Sequence, residues 1–214
     1  EKRTLHAFFL EVNADHDERS DSQVKASTLS QLFAGMANAV TTQGGLAERL
    51  LGSCLLAVFG VNELHEDDAL RCVRAARDAR AFASDFSQNA GTTLGVRIGI
   101  CAATVTGFDP AAGLQDSPAV NEVLNLARRV EGAAALGEIL MTRSVRVAAK
   151  GVTATEAPTL PGLGEPVFRQ VSEVSEDTQK AEVLAGRARE QTLLTGFIDG
   201  LAQLRSGGAL LLGQ

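Results

Sequence analysis

The sequence has no tryptophan and no tyrosine, and only five prolines, three cysteines and two methionines among 214 residues. Without Trp or Tyr most base-stacking platforms are missing, although nine Phe remain. An excess of basic charge is missing too: the formal net charge is −6, which argues against a protein that grips a phosphate backbone. Nucleic acid is thus excluded as an expected partner. No apolar run approaches the roughly 18 residues that would suggest a membrane span, and the first residues lack the charged-then-apolar pattern of a signal peptide. No membrane association and a cytoplasmic location are therefore expected. Cys54, Cys72 and Cys101 are odd in number, lack Cys-x-x-Cys spacing and sit in apolar patterns. They predict reduced core thiols rather than ligands or disulfides.

What is present is the composition of a packed globular domain, with 45% hydrophobic and 21% charged residues. Leu5 to Val12 is almost continuously apolar, the pattern of a strand covered on both faces, and Glu11 interrupts it. A carboxylate in such a strand is costly unless it is paired, bound to a metal or at the solvent edge. The loop from Asn13 to Ser22 is polar and acidic, and His16 within it is read as solvated. Leu29, Leu32, Phe33, Met36 and Val40 recur at helical spacing, which predicts a helix over 24–40 that ends at Gly44-Gly45. Two apolar runs then flank Gly52-Ser53, the signal for a hairpin with a two-residue turn and φ > 0 at Gly52.

His65-Glu66-Asp67-Asp68 opens a second predicted helix that runs to Phe86, with its carboxylates favouring the positive end of the helix dipole. Asn89 to Thr93 is a turn cluster, Leu94 to Thr106 a long strand or strand pair, and Phe108 to Pro118 a loop. Val123, Leu126, Ala127, Val130 and Ala134 mark a third helix, on which Asn125 and Arg129 lie four apart and so project side by side. Glu138 to Met141 reads as a short strand and Ser144 to Lys150 as a short helix. Val152 to Val171 is a β region with its prolines confined to turns or edges. The charged, aperiodic stretch from Ser172 to Lys180 suits a linker.

This order predicts an α+β domain, a mainly antiparallel sheet with helices packed on it. Ala57-Val58-Phe59-Gly60, His65-Glu66-Asp67-Asp68-Ala69, Val96-Arg97-Ile98-Gly99-Ile100, Leu124-Asn125-Leu126-Ala127-Arg128-Arg129-Val130-Glu131, Gly137-Glu138-Ile139-Leu140 and Gly164-Glu165-Pro166-Val167 follow one another. As an ordered series over residues 4–172 they resemble the class III nucleotidyl cyclases of the bacterial type joined to an ATPase module. The resemblance implies their ferredoxin-like fold over 1–172. A linker at 173–182 follows, and 183–214 looks like the truncated opening of a P-loop ATPase domain, its phosphate-binding glycines and lysine absent.

In that family two domains pair head to tail, as a homodimer or a heterodimer, around a nucleotide such as ATP. The resemblance implies that Asn125 orients the ribose and Arg129 offsets phosphate charge, a task suited to a guanidinium. The other positions depart from the pattern. Glu11 and Ser53 stand where two Asp would hold Mg²⁺ or Mn²⁺, so the metal site is expected to be weakened or lost. Arg49 replaces a base-reading Lys, Pro118 the second base-reading side chain, and Leu163 a phosphate-binding Lys.

These departures predict a degenerate domain, inactive alone, that acts as a complementing half or a regulatory pseudo-cyclase in signal transduction. An active adenylate cyclase making cyclic AMP with Glu11 as its remaining ligand is the alternative, and a pure interaction module a further one. From the residues alone, Asn125 could instead bond a neighbouring loop and Arg129 could pair with Glu122 or Glu131. Glu11 could likewise be held by Arg49 across adjacent strands, a structural ion pair in place of a metal.

Overall fold

The apolar run at Leu5–Val12 is the middle of β1 (Lys2–Ala14), an interior strand, third in a seven-stranded sheet ordered β2-β3-β1-β4-β5-β7-β6. These features come from a computed structural model that describes residues 2–14, 22–106 and 118–171. The remaining elements are α1 (Ser22–Thr42), β2 (Leu46–Leu50), β3 (Cys54–Phe59), α2 (Asp68–Ala90) and β4 (Leu94–Thr106). After these come α3 (Pro118–Glu131), β5 (Ile139–Thr142), α4 (Arg143–Ala148), β6 (Ala154–Glu156) and β7 (Val167–Gln170). All strand pairs are antiparallel except β4 with β5, so the predicted α+β class and mainly antiparallel sheet are found.

Successive strand residues point to opposite faces, and the sheet buries both. On one face Phe8, Leu10, Leu55, Phe59, Ile98, Ile100 and Met141 meet Leu32, Met36 and Val40 of α1 and Cys72, Val73 and Ala76 of α2. On the other, Leu5, Ala7, Phe9, Leu56, Val58 and Cys101 meet Val120, Val123 and Ala127 of α3. The near-continuous hydrophobicity of β1 follows from this double coverage. Past α3, Val130 and Ala134 pack with Leu140, Ala157 and Val167, and Leu160 and Leu163 rest on that group.

Several boundaries differ from the sequence reading. The turn between β2 and β3 has three residues, 51–53, because Leu50 pairs with Cys54. Gly52 does take φ +83°, but Leu51 joins the turn and is 99% exposed. Three-residue hairpins of this kind accommodate one residue in the left-handed region. Helix α2 begins at Asp68 rather than His65, since Asp68 turns back so that the His65 backbone N–H donates to its Oδ2 at 2.9 Å. It also runs past Phe86 to Ala90, where Gly91 at φ 62° closes it and the Gly91 and Thr92 N–H groups donate to Gln88 and Ser87 carbonyls.

Pro118 is the first residue of α3 and not part of a loop, the helical position that best tolerates a missing N–H. Cys72 and Cys101 are free and buried as expected, whereas Cys54 is only half-buried. Of the loop expected from Asn13 to Ser22, Asn13 belongs to β1 and Ser22 to α1; residues 15–21 with His16, loop residues 108–117, the linker and the ATPase-like segment lie outside the described residues. Contacts within the chain divide it after Val174. Among the described residues no helix is long and apolar enough to cross a membrane.

Candidate functional site

Glu11 sits on the α3 face of β1, directly opposite Arg97 of β4 and Cys54 of β3. Residues directly opposite across an antiparallel pair have side chains on the same face and within reach. Arg97 Nη2 donates to Glu11 Oε2, and Arg97 Nε lies 3.0 Å from Oε1 of Glu131, which comes down from the end of α3. Glu131 has a side chain only 7% exposed, against 30% for Arg97 and 34% for Glu11. One guanidinium thus stands between two carboxylates.

Burial raises the Glu131 carboxyl above its ordinary value, Arg97 opposes that shift, and the Glu11 charge adds to it. The hydrogen bond that Arg97 donates to Glu11, with the charges of Glu131 and Glu11, raises the guanidinium against its partial desolvation. The expected partner of Glu11, Arg49, is elsewhere. Alternation along β2 puts Arg49 opposite Leu55 on the other face of the sheet, where its guanidinium carbon lies 4.4 Å from the centre of the Phe33 ring of α1. An Arg49–Glu11 pair would need both side chains on one face, which the register forbids.

Ser53 closes the hairpin beside this group. Its carbonyl accepts from the Val12 N–H at 2.8 Å, which ties the turn to the end of β1. Glu11 and Ser53 are therefore neighbours in space. Cys54 follows, its thiol raised by burial and by the charges of Glu11 and Glu131. Arg128 of α3 reaches the same corner and lies 5.3 Å from the centre of the Phe9 ring.

Asn125 and Arg129 form a second group. Helix α3 buries Val120, Val123, Ala127 and Val130 and leaves Asn125 and Arg129 exposed. Its approach to the sheet is set by Gly99, where a Cβ would lie 2.1 Å from the Glu131 nitrogen and 2.5 Å from the Ala127 carbonyl oxygen. Arg129 donates from Nη2 to the Pro161 carbonyl at 2.8 Å, and a Cβ on Gly162 would sit 3.2 Å from that nitrogen. It does not pair with Glu122 or Glu131. The loop it touches is pinned by Leu160 and Leu163 and, at its far end, by Glu165, which accepts from the Ser144 N–H at 2.8 Å and the Ser144 hydroxyl at 3.0 Å. Leu163 serves there as an apolar anchor. Pro118, exposed at the start of α3, offers no side-chain donor.

The structure brings Glu11 and Ser53 together and holds Asn125 and Arg129 side by side, but the contacts of the two groups are separate. Sequence reasoning missed Arg97 and Glu131 as partners of Glu11. Both lay within the quoted strand and helix patterns, and only the register of β1 on β4 singles them out.

No protein-family model and no curated protein matches the chain. Solved structures do. The adenylyl cyclase CyaB from P. aeruginosa superimposes with a TM-score of 0.69 at 20% identity, over 81% of this chain and 96% of that one. The dimeric guanylyl cyclase domain of the RhoGC fusion protein from the aquatic fungus Blastocladiella emersonii gives 0.66 at 18%, over 80% and 98%. The guanylate cyclase domain of RhGC from Catenaria anguillulae, in complex with GTP, gives 0.65 at 19%, over 81% and 99%. With its seven-stranded sheet, two covered faces and strand order, the chain has the fold of the class III adenylyl and guanylyl cyclase domains.

Proposed function

We propose that this chain is a degenerate cyclase-homology domain that lends Asn125 and Arg129 to a nucleotide held against a second cyclase domain and does not turn nucleotide over by itself. The observation that carries the reading is the state of Arg129. One of its five N–H groups is spent on Pro161, so the fork is oriented but most of its donors remain for phosphate oxygens. Asn125 lies one turn earlier on the same exposed face, where an amide can hold a ribose hydroxyl. The related folds include one determined with GTP and one that is dimeric, which supports a nucleotide at a domain pair.

The separation of the two groups supports the same reading. A site completed by a partner domain needs its amide and guanidinium on one surface and its anionic positions on another. In this reading the domain is a complementing half, or a regulator of the ATPase-like segment predicted from residue 183.

Calorimetry with ATP and GTP analogues in EDTA tests it, alongside a turnover assay with ATP or GTP and Mn²⁺. The expected result is a binding heat without turnover. Arg129→Ala should weaken binding by about tenfold or more, the scale of one charge-assisted hydrogen bond, and Asn125→Ala by about threefold to tenfold, the scale of a neutral one. Turnover that disappears with Asn125→Ala would instead establish a working cyclase. No heat with any nucleotide would establish an interaction module.

A further inference from the structure

We infer that Arg97 is a built-in counter-charge: its guanidinium takes the place of a divalent cation between Glu11 and Glu131, so this corner holds no Mg²⁺ or Mn²⁺. The inference rests on the reading above only in that the cyclase fold identifies Glu11 and Ser53 as the metal-side positions.

Three observations converge on it. The register sets Arg97 directly opposite Glu11 on the same sheet face. Its Nη2 then donates to Glu11 on β1, while its Nε lies 3.0 Å from the Glu131 carboxylate on α3 as an ion pair. The backbone of α3 comes close enough for Glu131 to do this because residue 99, two along from Arg97, is glycine. Hard divalent ions need several ionised oxygens, and the one carboxylate left at the two metal positions already accepts from a cation. Ser53 adds only a neutral hydroxyl. A metal entering there would meet both a missing ligand and a fixed positive charge.

The two substitutions then read as one change. Glutamate reaches roughly 1.5 Å farther than aspartate, one carbon–carbon bond, and this extension is what brings the position 11 carboxylate onto Arg97. Restoring an acid at position 53 alone leaves Glu11 occupied.

The test is Mn²⁺ titration of the whole chain followed by electron paramagnetic resonance, with no nucleotide present. Wild type and Ser53→Asp should bind no Mn²⁺ tighter than about 1 mM, the weak end of protein sites for such ions. Glu11→Asp/Ser53→Asp should bind at least tenfold tighter than Ser53→Asp, and so should Arg97→Gln/Ser53→Asp, which covers the case in which one double variant fails to fold. Wild-type Mn²⁺ binding that Glu11→Gln abolishes would overturn the inference. So would a Ser53→Asp protein that binds as well as the doubles, or folded doubles that gain nothing. A lost nucleotide heat with this Mn²⁺ pattern intact would sink the proposed function alone, since that heat is read in EDTA at Asn125 and Arg129.

Discussion

His6 shows how a single half-buried side chain sets a condition on the domain. It lies on β1 with its Nδ1 buried and without a hydrogen-bond partner, and burial pushes its imidazole below the ordinary 6.5, with the Asp68 charge opposing. The unfolded chain therefore binds the proton more readily than the folded one. The His6 contribution is complete above pH 6.5 and is lost as pH falls from there toward the folded value, with a slope of at most about 1.4 kcal/mol per pH unit. Glu131, whose carboxyl is raised, acts with the opposite sign at lower pH. Urea midpoints of wild type and His6→Asn at pH 7.5, 6.5 and 5.5 should converge as pH falls; curves that stay parallel would refute the assignment. Individual residues were also where the sequence was least legible. Glu11 was visible as a carboxylate that needed a partner, but whether the partner was Arg49 or Arg97 depended on sheet order and face, which no local pattern encodes.

Helix α3 carries the candidate nucleotide residues, and its position depends on a glycine in another element. Gly99→Ala would drive a methyl into the Ala127 and Glu131 backbone, and helix backbone cannot rotate aside as a side chain can. The helix must lift or the fold must loosen, at a cost of about 3 kcal/mol. Denaturant unfolding should show that loss, and nucleotide binding should weaken in whatever fraction stays folded. A Gly99→Ala protein as stable as wild type would show that α3 is not seated by this contact. Elements as such were largely legible: the 3.6-residue stripe at Leu29–Val40 gave α1, and the apolar run at Leu94–Thr106, which read as a strand or strand pair, is the single strand β4. The errors fell at ends. Asp68 turning back onto His65 shortened α2 at its start, and the left-handed Gly91 rather than Asn89 fixed its finish. In the hairpin, Leu51 was counted with the apolar run although its side chain faces outward from the turn.

For the molecule as a whole, fold class and element order were readable because both sheet faces are buried and the apolar periodicity is therefore strong. Of the strand pairings, the β2–β3 hairpin was marked by Gly52-Ser53, whereas the neighbours of β1, β4, β5, β6 and β7 are long-range and no local pattern encodes them. The division after Val174 gives a further expectation. A chain ending at Val174 carries both described core layers and should unfold cooperatively, within about 1 kcal/mol of the full chain; a truncated protein lacking a cooperative transition would show that later residues are part of the same folding unit. The place of β1 has a separate consequence for biosynthesis. Although it precedes every other strand of the sheet, it lies between β3 and β4, and Lys2 finds its neighbour only at Thr106. On the ribosome, this apolar segment must wait for about a hundred more codons before its second edge is covered. Until then it is a natural target for a holding chaperone.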